Sequence, residues 1–135
     1  RERIIQALDQ TVPHTLDEDF TYKRPCAVKI DDQWYINTNT WKNITLAVTR
    51  HLYTKYNDEF LSMINNEVFI GRDGQNNVFS YDKNTLRSPV LIKDNLYIET
   101  NRSANDLIKT IRRILSAMEM NEDRVLVYLR EDRDA

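Results

Sequence analysis

Residues 99–118 read Glu-Thr-Asn-Arg-Ser-Ala-Asn-Asp-Leu-Ile-Lys-Thr-Ile-Arg-Arg-Ile-Leu-Ser-Ala-Met. Ser103 is followed three residues later by Asp106, a capping-box pair that satisfies backbone N–H groups at the start of a helix. Beyond this cap, apolar residues recur at helical spacing and form one continuous stripe: Leu107, Ile108, Ile111, Ile114, Leu115 and Met118. The pattern predicts an amphipathic helix over residues 104–118, with the rest of the chain packed against its apolar face.

The opposite face of this predicted helix is basic. At about 100° per residue, four polar side chains fall together there: Asn105, Lys109, Arg112 and Arg113. Asparagine and arginine one turn apart commonly contact groove edges and phosphates in nucleic acids. The helix start at Arg102 and Ser103 also offers free N–H groups to a phosphate. The alternative interpretation is that this face is simply the solvated side of the helix.

Two further cations, Arg72 and Lys93, lie at predicted turns and extend the basic surface. The predicted nucleic-acid contacts are therefore Arg72, Lys93, Arg102, Ser103, Asn105, Lys109, Arg112 and Arg113. No pair of aromatic residues falls inside a basic strand, as RNA-recognition sheets require. Duplex DNA is thus the expected partner rather than a single strand.

The composition indicates one ordinary domain. The chain has 135 residues, of which 41% are hydrophobic and 30% charged, as in globular proteins. A formal net charge of −2 argues against a wholly nucleic-acid-binding surface but permits a local basic patch. No apolar run approaches the roughly 20 residues that span a bilayer, and no signal-peptide pattern opens the chain. We therefore expect a cytoplasmic protein without membrane contact.

The first half of the chain predicts a hairpin followed by helices. Residues 26–30 and 34–36 are short apolar runs turned at Asp31 and Asp32, for which turn chemistry is a better explanation than a metal site. Potential caps at residues 37–40 precede an amphipathic helix over residues 41–56. Asp58 is then expected to cap a short helix that ends at residues 65–66.

The second half predicts two more hairpins and a final strand. Residues 68–71 and 78–81 read as strands joined by an Asp73-Gly74 turn. A second pair, residues 90–92 and 96–98, turns at residues 93–95. The compact apolar run 125–129 has the length of one strand buried on both faces, and we expect it to add to the sheet.

Strands and helices occur in blocks rather than in alternation, which favours an α+β fold over a doubly wound sheet. We expect a mixed, mainly antiparallel sheet built from hairpins, packed by two long amphipathic helices and one short one. Residues 1–21 are interpreted as a helix tail, carrying Ile4, Ile5 and Leu8, with a linker; residues 22–135 form the single domain. The chain starts without Met, which favours a piece of a longer protein.

Metal and nucleophile chemistry find little support in the sequence. His14, Cys26 and His51 are the only nitrogen and sulfur ligands of the usual kind, with no Cys-x-x-Cys and no His pair one turn apart. We predict no metal and no cofactor. The single cysteine has no internal disulfide partner, and a Cys26/His51 nucleophile pair stays open as an alternative.

Phosphate-binding loops and acid–base pairs are equally weak. Gly71 and Gly74, the two glycines of the chain, fit a turn better than a phosphate loop. A nuclease site would need Asp73, Asp82 and Glu99 to gather at one sheet edge, whereas turn and cap positions explain all three. The chain is therefore interpreted as non-enzymatic.

Several stretches together resemble a small domain that recurs in uncharacterised bacterial and phage proteins. They are Lys23-Arg24-Pro25, Trp41-Lys42-Asn43, Leu52-Tyr53, Ile70-Gly71-Arg72 and residues 97–105. The resemblance covers residues 22–129, and residues 99–104 are its most distinctive part. That domain occurs behind coiled coils or beside restriction-type and other DNA-transaction modules. The resemblance implies association with DNA and assigns no catalytic residue.

Two functions follow as predictions. The first is a non-catalytic accessory domain of a bacterial DNA-associated protein, binding nucleic acid through the basic face of helix 104–118. The alternative is a protein-association or dimerisation module that uses Ile4, Ile5 and Leu8 and has no nucleic-acid contact.

Overall fold

The computed structural model describes residues 12–36 and 38–130 and confirms the α+β class. Its strands are β1 (Arg24–Ile30), β2 (Gln33–Ile36), β3 (Phe79–Ser80), β4 (Pro89–Lys93), β5 (Leu96–Glu99) and β6 (Val125–Arg130). Its helices are α1 (Trp41–Lys55), α2 (Asn57–Met63) and α3 (Ala104–Ala117), two long and one short as predicted. None of the helices in the described ranges is long and apolar enough to cross a membrane.

The strands form two small antiparallel sheets, ordered β2-β1-β6 and β3-β5-β4. The predicted hairpins β1–β2 and β4–β5 are confirmed. Their two-residue turns, Asp31-Asp32 and Asp94-Asn95, have positive φ at all four positions, as in type I′ turns. Asp and Asn tolerate this left-handed conformation better than most side chains. The final strand β6 pairs with β1 and so joins the sheet of the first hairpin.

Helix α1 joins the two sheets. Helix α1 contacts α3, β1 of the first sheet and β4 of the second. The whole predicted apolar stripe of α3 is buried. The Ser103 hydroxyl accepts the Asp106 N–H at 3.2 Å, which confirms the cap, and Thr40 caps α1 through the Asn43 N–H at 3.1 Å.

The predicted hairpin of residues 68–71 and 78–81 is wrong. Residues Glu67–Phe69 form a 3₁₀ turn, only Ile70 pairs across to Asn76, and β3 pairs with β5 instead. The Asn76 side chain accepts the N–H groups of Val78 and Phe79 at 3.0 Å each, which draws this segment away from a ladder. A turn does form at Gly74, whose φ of 79° suits glycine.

The predicted Asp58 cap is also wrong. Tyr56 ends α1 and immediately begins α2, so no separate capping position precedes the short helix. Asp58 lies instead in the first turn of α2, where a carboxylate is favourable beside the positive end of the helix dipole.

Residues 12–21 pack onto the first sheet. The backbone of His14 exchanges two hydrogen bonds with Val127, at 2.8 and 2.9 Å. Leu16 and Phe20 are fully buried, and the Phe20 ring lies 4.8 Å from that of Trp41. The predicted N-terminal helix with Ile4, Ile5 and Leu8 lies outside the described residues.

Candidate functional site

The exposed stripe of α3 is narrow. Four positions of the helix are exposed: Asp106, Lys109, Arg113 and Ser116. Lys109 and Arg113 lie one turn apart, and neither has a hydrogen bond or ion pair within residues 12–36 and 38–130. These two cations are therefore available to an anionic partner.

Two other predicted contact residues are held within the chain. The Asn105 side chain accepts the Phe20 N–H at 2.9 Å and donates to Asp19 and Thr21 at 2.9 and 3.0 Å. The Arg112 guanidinium donates to the Glu122 carboxylate at 2.7 Å. Their positions on the helix are as predicted, but their polar groups bind other parts of the same chain.

The remaining four predicted residues are exposed and dispersed. Ser103 is occupied as the helix cap, and the Arg102 guanidinium donates to the carbonyl of Asn77 at 3.4 Å. Arg72 lies in the loop before Gly74, and Lys93 ends β4. Within the described chain, no hydrogen bond or ion pair links any of them to Lys109 or Arg113.

The stretch that begins at Glu99 connects β5 to α3 and is held by hydrogen bonds to the loop before β4. The Glu99 carboxylate is buried and accepts three backbone N–H groups, from Arg87, Ser88 and Asn101, at 2.7, 2.8 and 3.0 Å. Burial alone would raise the pKa of Glu99, but these hydrogen bonds together hold it below its usual value. Thr100 adds a hydroxyl bond to the Ser88 carbonyl at 2.8 Å. These contacts fix the start of α3 against the preceding loop.

Asn105→Ala is expected to lower the free energy of unfolding by about 1–2 kcal/mol, because three hydrogen bonds to residues 19–21 are lost. Urea denaturation measures the change. Asn101→Ala is the matched control, since that side chain is exposed and makes no side-chain hydrogen bond to the described residues. Unchanged stability combined with weaker DNA binding would instead assign Asn105 to the nucleic acid.

A second cluster, which the sequence did not reveal, surrounds the carboxylate of Asp31. It accepts hydrogen bonds from the His51 ring at 3.1 Å and the Tyr56 hydroxyl at 3.0 Å. Arg124 and Lys55 approach it at 3.3 and 3.6 Å. Burial would raise the pKa of Asp31, but the bonds from His51 and Tyr56 and the two nearby cations lower it.

The buried His51 ring extends this cluster. Its Nε2 contacts Asp31, and its Nδ1 lies 2.7 Å from the hydroxyl of Tyr35. Burial raises the pKa of the Tyr35 hydroxyl above its ordinary value. Both ring nitrogens of His51 are thus occupied, and the alternative Cys26/His51 pair finds no ring nitrogen to activate the thiol.

Asp73, Asp82 and Glu99, the residues of the nuclease alternative, likewise do not form a shared metal site in the described part of the chain. The Asp73 carboxylate accepts the Gln75 N–H, and that of Asp82 accepts the Asn84 N–H, as the turn and cap interpretation predicts. Among the described residues, no group of three His, Cys, Asp or Glu side chains is placed to hold a metal ion.

A cleft of about 720 Å³ lies between β2 and α1, beside Tyr35 and His51. Its walls combine hydrogen-bonding side chains with an apolar floor formed by Leu46 and Ala47. Arg50 and Lys55 also line it, and among the described residues that do so there is no carboxylate. Concave sites with convergent polar groups are the usual form of binding sites.

Comparison of the chain with protein-family models, with curated proteins and with solved structures found no match. The resemblance to a small domain of bacterial and phage proteins therefore stays a prediction. The same holds for the association with DNA that it implies.

Proposed function

We propose that this chain is a non-catalytic accessory domain of a bacterial DNA-associated protein and contacts duplex DNA through Lys109 and Arg113. The exposure of these two cations, one turn apart and without a partner in the described chain, supports the proposal. Lysine and arginine that face a duplex replace condensed counterions on the phosphates, and the release of those counterions drives binding.

The burial of α3 determines what kind of contact is possible. Leu107, Ile108, Thr110 and Ile111 are buried, and so is the next turn at Ile114 and Leu115. A recognition helix must present most of one side to enter a major groove, and α3 has only its narrow stripe to offer. The proposed contact is therefore with phosphates and is independent of base sequence.

Acidic groups limit its strength. Asp106 shares the exposed stripe with Lys109, and Glu122 pairs with Arg112. Asp19 lies against Asn105 at the start of the helix. These carboxylates reduce the positive field over α3, so we expect weak binding that depends strongly on salt.

The double substitution Lys109→Gln/Arg113→Gln is expected to weaken duplex binding and reduce the slope of log K against log salt by about 1.8, or about 0.9 for each lost phosphate contact. Fluorescence anisotropy with a labelled duplex at several salt concentrations measures this slope. The matched control is Lys83→Gln, a cation on an exposed 3₁₀ turn outside the predicted surface.

Arg112→Gln tests whether the one cation of α3 that is paired within the described chain also contributes to DNA binding. Because Arg112 is paired with Glu122, its neutralisation should change the salt slope less than either Lys109→Gln or Arg113→Gln alone. An unchanged affinity and slope in the double variant would contradict the proposed function.

A further inference from the structure

Strand β2 has one open edge. Within the described ranges it pairs only with β1, on one side. The pair Ile30 and Gln33 closes a two-residue turn, which makes it a hydrogen-bonded pair. The alternation along an antiparallel ladder then directs the N–H and C=O groups of Trp34 and Ile36 to the open edge. Such unpaired groups are a template for another strand.

The cleft beside this edge is long rather than round. On the α1 side, Asn43, Ala47, Arg50 and Thr54 follow one another at intervals of three or four residues. At 1.5 Å per residue, they span about 16 Å along the helix. Across the cleft lie Gln33 and Tyr35 of the edge strand β2. These two residues are two positions apart, so both side chains lie on the same, inner face of the strand. This shape suits an extended chain that lies parallel to the wall.

The charge of the cleft is positive. The Arg50 guanidinium donates to the carbonyls of Leu91 and Ile92 at 2.8 and 3.3 Å, which fixes it in place. Lys55, one of the last residues of α1 that line the cleft, is half exposed. Asp31 lies near Lys55 but also pairs with Arg124, so a second cation balances its charge. Carboxylates entering the cleft would therefore meet complementary charge.

The outer face of β2 carries apolar side chains in water. Trp34 is 46% exposed and Ile36 is 66% exposed. The Trp34 ring packs on Tyr128 at 4.6 Å, with the Lys29 ammonium 5.6 Å from its centroid. A strand added beside β2 would cover both Trp34 and Ile36, because its outer side chains would lie next to theirs.

We propose that β2 binds an extended, acidic segment of a partner protein as a fourth strand of the first sheet. The backbone of the segment bonds to Trp34 and Ile36. Its carboxylates point into the cleft toward Arg50 and Lys55, and its alternate apolar side chains pack against Trp34 and Ile36. This surface does not involve Lys109 or Arg113 and is independent of the proposed DNA contact.

The probe is a labelled eight-residue peptide that alternates Glu with Val, since strand addition derives its affinity mainly from the main chain. We expect saturable binding by anisotropy, and binding weaker by about tenfold or more for the same peptide with Lys in place of Glu, because like charges then face each other in the cleft. With saturating peptide, hydrogen exchange at the Trp34 and Ile36 amides should slow by about tenfold or more, because both become hydrogen-bonded. The amides of Gln33 and Tyr35 already face β1 and should change little.

Two substitutions test the backbone and the charge separately. Ile36→Pro removes an open-edge N–H without removing a bond to β1, and should weaken binding at least about tenfold. Lys55→Gln should weaken it about two- to fivefold, the effect of one exposed ion pair. Lys42→Gln is the matched control, an exposed lysine of the same helix outside the cleft. Thermal unfolding of each variant confirms that the fold is retained.

Several results would overturn the proposal. One is the absence of acidic-peptide binding up to about 1 mM, the weakest affinity we would accept. Another is binding that leaves exchange at Trp34 and Ile36 unchanged. Binding of a single-stranded oligothymidylate that Lys55→Gln abolishes would assign the cleft to nucleic acid instead. Lys109→Gln/Arg113→Gln should leave peptide binding intact, which separates this test from that of the DNA contact.

Discussion

Asp31→Asn is expected to lower the free energy of unfolding by about 2–3 kcal/mol. Asparagine adopts the left-handed conformation of Asp31, whose φ is 50°, so the turn itself is retained. What is lost is the charge that the His51 ring, the Tyr56 hydroxyl and two cations share. Without it, the buried His51 ring and the partly buried Tyr56 hydroxyl lose a strong acceptor, and Lys55 and Arg124 lose their ion pairs.

The adjacent residue provides the control for this substitution. Asp32 occupies the same turn with a φ of 67°, but its side chain is 97% exposed. Asp32→Asn should therefore leave the urea midpoint nearly unchanged, while Asp31→Asn shifts it at constant slope. Equal midpoints for the two variants would show that the cluster around Asp31 contributes no stability.

Glu99→Ala is expected to cost about 3 kcal/mol or more, because three backbone N–H groups lose their acceptor in a buried setting. Urea denaturation measures the loss. Glu59→Ala on the exposed side of α2 is the control and should change the unfolding free energy by less than about 0.5 kcal/mol.

Glu99 also makes stability depend on pH. Its pKa is lower in the folded chain than in the unfolded one, so its ionised form stabilises the fold above the unfolded value of about 4.3. That contribution is lost as the pH falls through the folded pKa. Glu99→Gln should accordingly be destabilised at pH 7 and lose less stability than the parent chain on acidification below about pH 4. Parallel pH curves for the two chains would contradict this role.

Local sequence signals were sufficient for the elements whose causes are local. The apolar stripe and the Ser103 cap define α3, and the Asp-rich turn defines the first hairpin, because each depends on residues a few positions apart. The failed hairpin at residues 68–81 depends on one side chain, Asn76, that competes with the ladder for backbone N–H groups. A hydrophobic pattern carries no information on that competition.

The residues of the candidate site divide in the same way: their place on an element follows from local sequence, whereas their hydrogen-bond partners do not. A helical wheel places Asn105 and Arg112 on the polar face of α3, but it cannot show that residues 19–21 and Glu122 occupy their polar groups. The cluster at Asp31 joins residues up to 93 positions apart, through Arg124. Only the spacing of His51 and Lys55, one turn apart on α1, gave a local hint that two titratable groups share a face.

The buried imidazole of His51 links Tyr35 to Asp31 through two hydrogen bonds, and the donor and acceptor of each bond follow from the chemistry of Asp31. The carboxylate of Asp31 can only accept, so Nε2 of His51 carries a hydrogen, and in the tautomer with that single ring hydrogen Nδ1 accepts the Tyr35 hydroxyl. The hydrogen of the Tyr35 hydroxyl is then held by His51, so on the side of the cleft the Tyr35 oxygen offers only lone pairs, and a bound chain would approach it with an N–H group rather than with a carbonyl or a carboxylate.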